Sequence, residues 1–288
     1  MKIVSVFNIT LLLMFWVSNA QAVTDLQRWM LSIPVDETHN GRADNIKERE
    51  LVAGFAYSPY FEVTADRLVF RSPVQGPKTS SNTSYTRSEL REMLRAGDKQ
   101  IKSQGVTRNN WVFSSAPEQD QRLAGAVDGV MEAELAVNYV TTTGDKRQVG
   151  RVVIGQIHAN HDEPIRLYYR KLPQHQKGSI YFAHDRIGRK NQWIEMIGSK
   201  SSSAPEPENG IALNERFTYR IAVSGNLLTV TLKKAGDEDI VQQLDMSHSG
   251  YDQGGQYMYF KAGVYNQNKS GEPDDYVQAT FYRIDVSH

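Results

Sequence analysis

Apolar and polar residues alternate along several short segments of the chain, which is typical of β-strands with two different faces. The clearest cases are residues 131–139, 217–223, 228–232 and 276–286. Glycine-containing turn sequences fall between the segments, and few windows have a helical period. The pattern predicts an all-β fold, an antiparallel sandwich or barrel, with one short helix near residues 26–31.

Two further strand-like segments, residues 152–159 and 257–267, have an unusual second face. In 257–267 an apolar face suits the core, and the other face carries Tyr257, Tyr259, Lys261, Gly263, Tyr265 and Gln267. In 152–159 strict alternation predicts one face with Val153, Gly155, Ile157 and Ala159, and another with Val152, Ile154, Gln156 and His158. Tyrosines and hydrogen-bonding side chains on a sheet are typical of sugar binding, although for each segment taken alone a structural role such as cross-strand packing is the more common explanation.

Residues 85–95 admit two interpretations. Thr86 and Glu89 have the spacing of a capping box, and Leu90, Met93 and Leu94 recur at helical intervals, which favours a helix. A strand would instead place Arg87, Glu89 and Arg91 on one face, with a carboxylate between two guanidinium groups. Local pattern does not decide between the two.

Composition narrows the function classes. The 288 residues include 33 Lys+Arg and 33 Asp+Glu, so net charge gives no argument for a nucleic acid or an acidic membrane surface. The chain has no cysteine, which excludes disulfides, thiolate metal sites and cysteine nucleophiles. Residues 199–209 are rich in Ser and Pro, but strand patterns resume on both sides. We interpret them as a surface loop within one domain, residues 23–288.

The N-terminus has the three parts of a secretory signal. Met1 and Lys2 provide a short positive start, residues 3–17 are mostly apolar, and Ala20-Gln21-Ala22 offers small residues at a cleavage site. The apolar stretch is short for a membrane span, which needs about 20 residues. We expect a signal peptide over residues 1–22, hence a secreted or periplasmic protein without a membrane anchor after cleavage; an uncleaved anchor is the alternative.

Three segments resemble the signature motifs of the polysaccharide lyase family 7 alginate lyases. They are Arg87-Ser88-Glu89-Leu90-Arg91, Gln156-Ile157-His158, and the stretch from Tyr259 to Gln267, YFKAGVYNQ, and they occur in the family's order. The resemblance extends over nearly the whole chain after residue 22. It implies a β-jelly roll of two curved antiparallel sheets with a concave substrate groove, and therefore a strand at 87–91.

The resemblance also implies the chemistry, which is β-elimination at the 1,4 bond of alginate. Arg87 and Gln156, with His158 nearby, are expected to stabilise the charge that develops on the substrate carboxylate. Tyr265 acts as base and acid, or His158 acts as base with Tyr265 as acid, depending on the sugar. Nearby cations such as Arg87 and Lys261 are expected to favour the phenolate of Tyr265.

Six further residues are expected to support binding. Glu89 is expected to orient Arg87 and Arg91, Tyr259 to stack on a sugar ring, and the remaining residues to contact neighbouring sugars: Arg91, Lys261, Asn266 and Gln267. No metal or organic cofactor is needed by this mechanism, and we expect a monomer whose partner is alginate. His158 and His161 suggest a metal site, but on a strand they point to opposite faces.

Two other functions remain as alternatives. A non-catalytic carbohydrate-binding jelly roll would keep the aromatic residues and cations, but it has no use for both His158 and Tyr265. A lyase for another polyuronate, such as glucuronan, would share the fold. Within the resembled family, Ile157 in the middle of its motif tends to accompany activity on guluronate, so guluronate preference or dual activity is expected.

Overall fold

The computed structural model describes residues 23–288, and the expected signal peptide at residues 1–22 lies outside the described residues. Two large antiparallel sheets make up most of the described chain. No helix within residues 23–288 has the length and apolar character that a membrane crossing requires. The all-β sandwich predicted from the alternating pattern is therefore confirmed.

The nine-stranded sheet carries all three signature motifs. Its strands, in spatial order, are β12 (Gln192–Ile197), β11 (Lys177–His184), β10 (Ile165–Arg170), β9 (Arg151–His158), β17 (Tyr259–Asn266), β5 (Arg87–Glu92), β1 (Trp29–Ile33) and β2 (Asp44–Ile46), with β13 (Ile211–Ala212) beside β11. The motif strands β9, β17 and β5 are direct neighbours at the centre of this order.

The seven-stranded sheet covers one face of the first sheet. Its order is β16 (Ile240–Asp245), β15 (Leu227–Lys234), β14 (Phe217–Ser224), β8 (Gly129–Tyr139), β18 (Tyr276–Ser287), β4 (Leu68–Pro73) and β3 (Phe61–Val63). The remaining elements are short: β6 (Trp111–Val112) pairs with β7 (Ala126–Val127), and the helices are α1 (Glu48–Val52) and α2 (Glu118–Leu123). Residues 199–209 form a loop between β12 and β13.

The helix expected at residues 26–31 is only partly present. Leu26–Arg28 form one turn of 3-10 helix, which Asp25 caps by accepting a hydrogen bond from the Gln27 amide. From Trp29 the chain becomes β1, because pairing with β5 and β2 satisfies its backbone groups and buries the Trp29 ring. Tertiary pairing outweighs the local helical tendency here.

Apolar side chains from both sheets fill the space between them. Phe70, Phe281, Tyr219 and Phe260 belong to this core and are fully buried. The hydroxyl of Tyr219 crosses from β14 and donates a 3.0 Å hydrogen bond to the carbonyl of Ile154 on β9. The opposite face of the nine-stranded sheet, which we call the groove face, is therefore left free of the second sheet.

A β-bulge in β9 corrects the face assignment made from strict alternation. On β10, Leu167 pairs with Gly155 and Tyr168 pairs with Val153, so Ile154 is an extra residue. Val152 and Ile154 consequently point into the main core with Ile157, whereas Val153 packs on the groove face. Gly155 permits this because a Cβ there would lie 2.7 Å from the Tyr219 ring.

Candidate functional site

The strand register brings the three motifs together on the groove face. Lys261 on β17 lies opposite Arg91 on β5 and opposite Gln156 on β9. Tyr265 lies opposite Arg87, and Tyr259 lies opposite His158. Residues far apart in sequence therefore become cross-strand neighbours, as the sequence resemblance predicted.

The strand interpretation of residues 85–95 is confirmed. Arg87–Glu92 form β5, which pairs with β1 on one side and β17 on the other. Leu90 points into the core, while Arg87, Glu89 and Arg91 share the groove face. Neighbours on both sides satisfy the backbone of β5, so the local helix signal has no effect.

Glu89 is the centre of a buried network. Its side chain is 1% exposed and accepts hydrogen bonds from Arg87 Nη1 at 3.1 Å, from Lys261 Nζ and from Gln156 Nε2. Burial opposes ionisation of Glu89, but the charges of Lys261 and Arg87 outweigh it and lower the pKa of the carboxyl. Glu89 thus contacts Arg87, and its second cation is Lys261 rather than the Arg91 expected from the sequence.

The cations of this network are held in a poorly solvated position. Burial and the neighbouring charge of Arg87 lower the pKa of Lys261 to about 8, although Glu89 opposes this shift. The Arg87 guanidinium carbon lies 3.8 Å from the centroid of the Tyr265 ring, and the buried Nε of Arg87 has no partner among residues 23–288. The Arg87 side chain keeps 12% of its surface exposed and lines the open pocket, so its guanidinium can meet an anion directly beside Tyr265.

His158 is neutral over the physiological range. Its pKa falls to about 3, first through burial and then through the charge of Lys261, although the Ala159 carbonyl opposes the shift. Nδ1 lies 2.5 Å from that carbonyl oxygen, which can only accept, so Nδ1 carries the proton. The Nε2 atom is then unprotonated, as a general base requires.

Tyr265 is a phenol rather than a phenolate, which corrects the expectation from its cationic neighbours. Arg87 does lower the pKa of Tyr265, but burial is the larger effect and the net direction is upward. A protonated hydroxyl beside Arg87 is suited to donate a proton. His158 and Tyr265 thus have the protonation states of a base and an acid, respectively.

The structure brings only some of the expected supporting residues next to the reacting groups. Tyr259 stacks on the His158 ring with centroids 5.1 Å apart. Its second neighbour is Arg91, whose guanidinium carbon lies 4.0 Å from the Tyr259 centroid. Asn266 and Gln267 are not brought into the group. Asn266 is fully buried and donates to the Ser72 carbonyl, and Gln267 is 3% exposed and donates to the Asn266 carbonyl.

Sequence reasoning missed a cluster of charges beside His158. Glu163 Oε1 lies 3.5 Å from His158 Nε2, and Arg166 Nη2 donates to both oxygens of Asp185 at 2.7 and 2.9 Å. Burial raises the pKa of Asp185 to about 6, with Arg166 opposing and Glu163 assisting the shift. Along β10, Arg166 alternates with the same period as Tyr168 and Arg170 on the groove face. This alternation is the sequence signal that could have placed Arg166 there.

Open space lies directly over the network. A pocket of about 330 Å³ is lined by Arg87, Arg91, His158, Tyr259 and Lys261, together with loop residues that include Gln104. A larger cavity of about 770 Å³ lies near Leu26 and Ile284, away from these groups, so size alone does not identify the site. Within residues 23–288 no three His, Asp or Glu side chains are placed to hold a metal ion.

Comparison with known proteins agrees with this geometry. A family model described as alginate lyase matches residues 24–288. A curated alginate lyase of Klebsiella pneumoniae is 61% identical over 92% of this chain and 89% of its own. A crystal structure of the alginate lyase from Klebsiella pneumoniae superposes with a TM-score of 0.91 at 60% identity, covering 92% and 97% of the two chains. An alginate lyase structure from Pseudomonas aeruginosa gives 0.66 at 29% identity, covering 92% and 100%.

Proposed function

Because the chain belongs to the alginate lyase family, we propose that it depolymerises alginate by β-elimination with Arg87, Gln156, His158 and Tyr265 as the reacting set. The observation that carries this assignment is the meeting of a guanidinium, a neutral imidazole and a protonated phenol on one face of three adjacent strands. The products are oligosaccharides with a C4–C5 double bond at the new non-reducing end.

The reaction removes the proton at C5 and breaks the bond from C4 to the bridging oxygen. The C5 proton is weakly acidic while the adjacent carboxylate keeps its full charge, so charge stabilisation on that group is essential. Arg87 supplies the cation, and Gln156 has a second N–H besides the one it donates to Glu89. Glu89 acts through both by holding them in place.

We further propose that the enzyme prefers guluronate or acts on both sugars. In guluronate the C5 proton and the C4 oxygen lie on opposite sides of the ring, so base and acid must be different groups. A neutral His158 and a protonated Tyr265 suit this division. In mannuronate the two lie on the same side, and Tyr265 would have to lose its proton first. Ile157 itself is buried in the core, so its link to preference is indirect.

The test is incubation with polyguluronate, polymannuronate and mixed alginate while ultraviolet absorbance from unsaturated uronate ends is recorded. We expect absorbance to rise with mixed alginate and to rise faster with polyguluronate than with polymannuronate. No rise with any of the three would remove the lyase assignment. A faster rise with polymannuronate would leave the lyase assignment intact and remove the guluronate preference.

Two further proposals concern the export of the protein and its oligomeric state. The pattern of residues 1–22 supports export with cleavage after Ala22, which the N-terminal sequence of protein recovered outside the cytoplasm would test. A monomer is supported by the exposed large apolar side chains, which within residues 23–288 are distributed over six different elements and loops. These residues are Val52, Leu123, Ile187, Trp193, Leu227 and Val241. Light scattering of the purified protein would test it.

A further inference from the structure

Two arginines that do not belong to the reacting set face each other on the groove face. Arg151 on β9 lies directly opposite Arg170 on β10 in the strand register. Like charges in such a pair destabilise a sheet unless something compensates them. Burial strengthens the repulsion between the two charges, because Arg170 is 3% exposed and little solvent screens its charge.

No carboxylate within residues 23–288 forms an ion pair with either guanidinium. Arg170 is fixed by the backbone, since Nη1 donates to the Lys200 carbonyl at 2.5 Å and Nη2 to the Lys146 carbonyl at 2.7 Å. The Nε atoms of both arginines and the hydroxyl of Tyr181 are buried without partners in the described chain. Buried polar atoms are normally paired, so the unpaired Tyr181 hydroxyl beside the two guanidinium groups marks a position for a hydrogen-bond acceptor.

Aromatic rings adjoin the arginine pair. Tyr168 and Tyr181 stack with centroids 5.2 Å apart, and Trp193 lies 5.5 and 5.9 Å from them. The Arg151 guanidinium carbon is 5.9 Å from the Tyr168 centroid. Trp193 keeps 37% of its surface exposed, so its ring can still receive a ligand. Rings beside cations suit a sugar that carries a carboxylate.

The acidic side chain nearest in the register does not neutralise this group. Glu195 lies opposite Tyr181 on β12, but its Oε1 accepts hydrogen bonds from Ser199 Oγ at 2.7 Å and from the Lys200 amide at 2.8 Å. It is exposed and anchors the loop that follows β12. Glu195 is thus engaged by its own loop and leaves the charge of the arginine pair uncompensated.

We propose that Arg151, Arg170 and Tyr181 form an outer subsite that binds the carboxylate of a uronate sugar beyond the cleaved bond. The subsite adjoins the reacting set, because Tyr168 and Tyr181 share a cluster with Val153 and Tyr265. Strand β10 lies two strand spacings from β17, or about 10 Å. This inference rests on the proposed function, since it takes the ligand to be an alginate chain.

The experiment measures binding by calorimetry in a Tyr265→Phe background, so that turnover does not consume the ligand. The probes are an oligoguluronate trisaccharide and hexasaccharide, and the variants are Arg151→Gln and Tyr181→Phe. A lost hydrogen bond to a charged group weakens binding by about tenfold or more. We expect that loss for the hexasaccharide with both variants, and little change for the trisaccharide.

Two controls separate binding from folding. Arg147→Gln removes an arginine whose side chain is 79% exposed and already paired with Asp145, and it should alter neither affinity. Tyr181→Phe deletes a hydroxyl that has no partner in the described chain, so the thermal unfolding midpoint should not fall. Unchanged hexasaccharide affinity, or an equal loss for both lengths, would overturn the subsite. Absence of lyase activity in the unmodified protein would overturn the proposed function, and the binding comparison would still decide the subsite.

Discussion

Charged residues occupy the outer faces of both sheets, but they are exposed to solvent on one sheet and buried on the other. On the seven-stranded sheet, Glu132 pairs with Arg283 and Glu134 with Arg216, and all four side chains are between 28% and 57% exposed. On the nine-stranded sheet, Glu89 is 1% exposed and holds Arg87 and Lys261, which are 12% and 7% exposed. The first set is solvated and contributes little to stability.

The difference shows what burial does to a charge. Solvated pairs can be broken at small cost because water replaces the lost partner. The buried network cannot be broken in this way, and its groups acquire shifted pKa values that water would prevent.

The largest effect is expected for Tyr265→Phe compared with Tyr282→Phe. Both tyrosines lie under an arginine, with Arg87 3.8 Å from the Tyr265 centroid and Arg216 3.4 Å from that of Tyr282. Removing the Tyr265 hydroxyl should lower kcat by about 10²–10⁴-fold, the usual contribution of general acid–base catalysis. Tyr282→Phe should keep the rate. Near-normal turnover by Tyr265→Phe would assign proton transfer to another group.

Glu89→Gln should destabilise the fold far more than Glu132→Gln. The first leaves Arg87 and Lys261 together without a carboxylate, which costs about 3–5 kcal/mol for a buried pair. The second breaks an exposed pair with Arg283, worth at most about 1 kcal/mol. Denaturant titration measures both free energies of unfolding. Equal losses would show that the Glu89 network is as well solvated as the outer pairs.

Arg87→Ala should lower kcat by about 10²–10³-fold, the range for removal of one donor to a developing oxyanion. Arg283→Ala on the seven-stranded sheet should leave the kinetics unchanged, because that side chain is 43% exposed and distant from the groove face. Steady-state kinetics on alginate separates the possibilities. A raised KM with unchanged kcat would make Arg87 a binding residue without a role in the transition state.

The smallest effects concern two imidazoles with opposite pH dependence. The pKa of His158 drops from near 6.5 when unfolded to about 3 when folded, so it makes the fold less stable as pH falls between these values. The pKa of His288 rises: burial opposes this, but Glu92 at 2.7 Å outweighs it. Its stabilisation is complete below about pH 6.5 and is lost as pH rises through the folded pKa.

The free energies of unfolding of His158→Asn and His288→Asn should therefore respond differently to a change from about pH 8 to about pH 5. Relative to the unmodified protein, His158→Asn should gain stability at the lower pH and His288→Asn should lose it. The difference is at most about 1.4 kcal/mol for each pH unit. Parallel responses from the two variants would contradict the opposite environments of these rings.

The chain order of the motifs was sufficient to predict which residues meet. Arg87, Gln156, His158 and Tyr265 occur in the order of the resembled family's motifs, and strands β5, β9 and β17 bring them together. Asn266 and Gln267 belong to the same motif, but the chain turns their side chains into buried hydrogen bonds. A motif records which residues occur together, and only the backbone path decides which of them reach the groove.

Local rules failed where a neighbouring strand supplied the deciding interaction. Residues 85–95 have a helical pattern, yet β1 and β17 satisfy the backbone of β5 on both sides. Alternation in β9 failed at Ile154, because the bulge depends on Tyr219 from the other sheet. Neither partner is adjacent in sequence, so no local window contains the information.

The amino-acid sequence by itself determined the β-sandwich, since alternation is a local property, and its three motifs predicted the reacting side chains through their resemblance to a known family. The tertiary structure alone decided their protonation states. Whether Tyr265 is a phenol or a phenolate depends on a balance between burial and the charge of Arg87. The arginine pair likewise exists only through strand register, because Arg151 and Arg170 meet across two strands rather than along one. Desolvation and cross-strand contact are properties of the folded chain, and they set the chemistry of this groove.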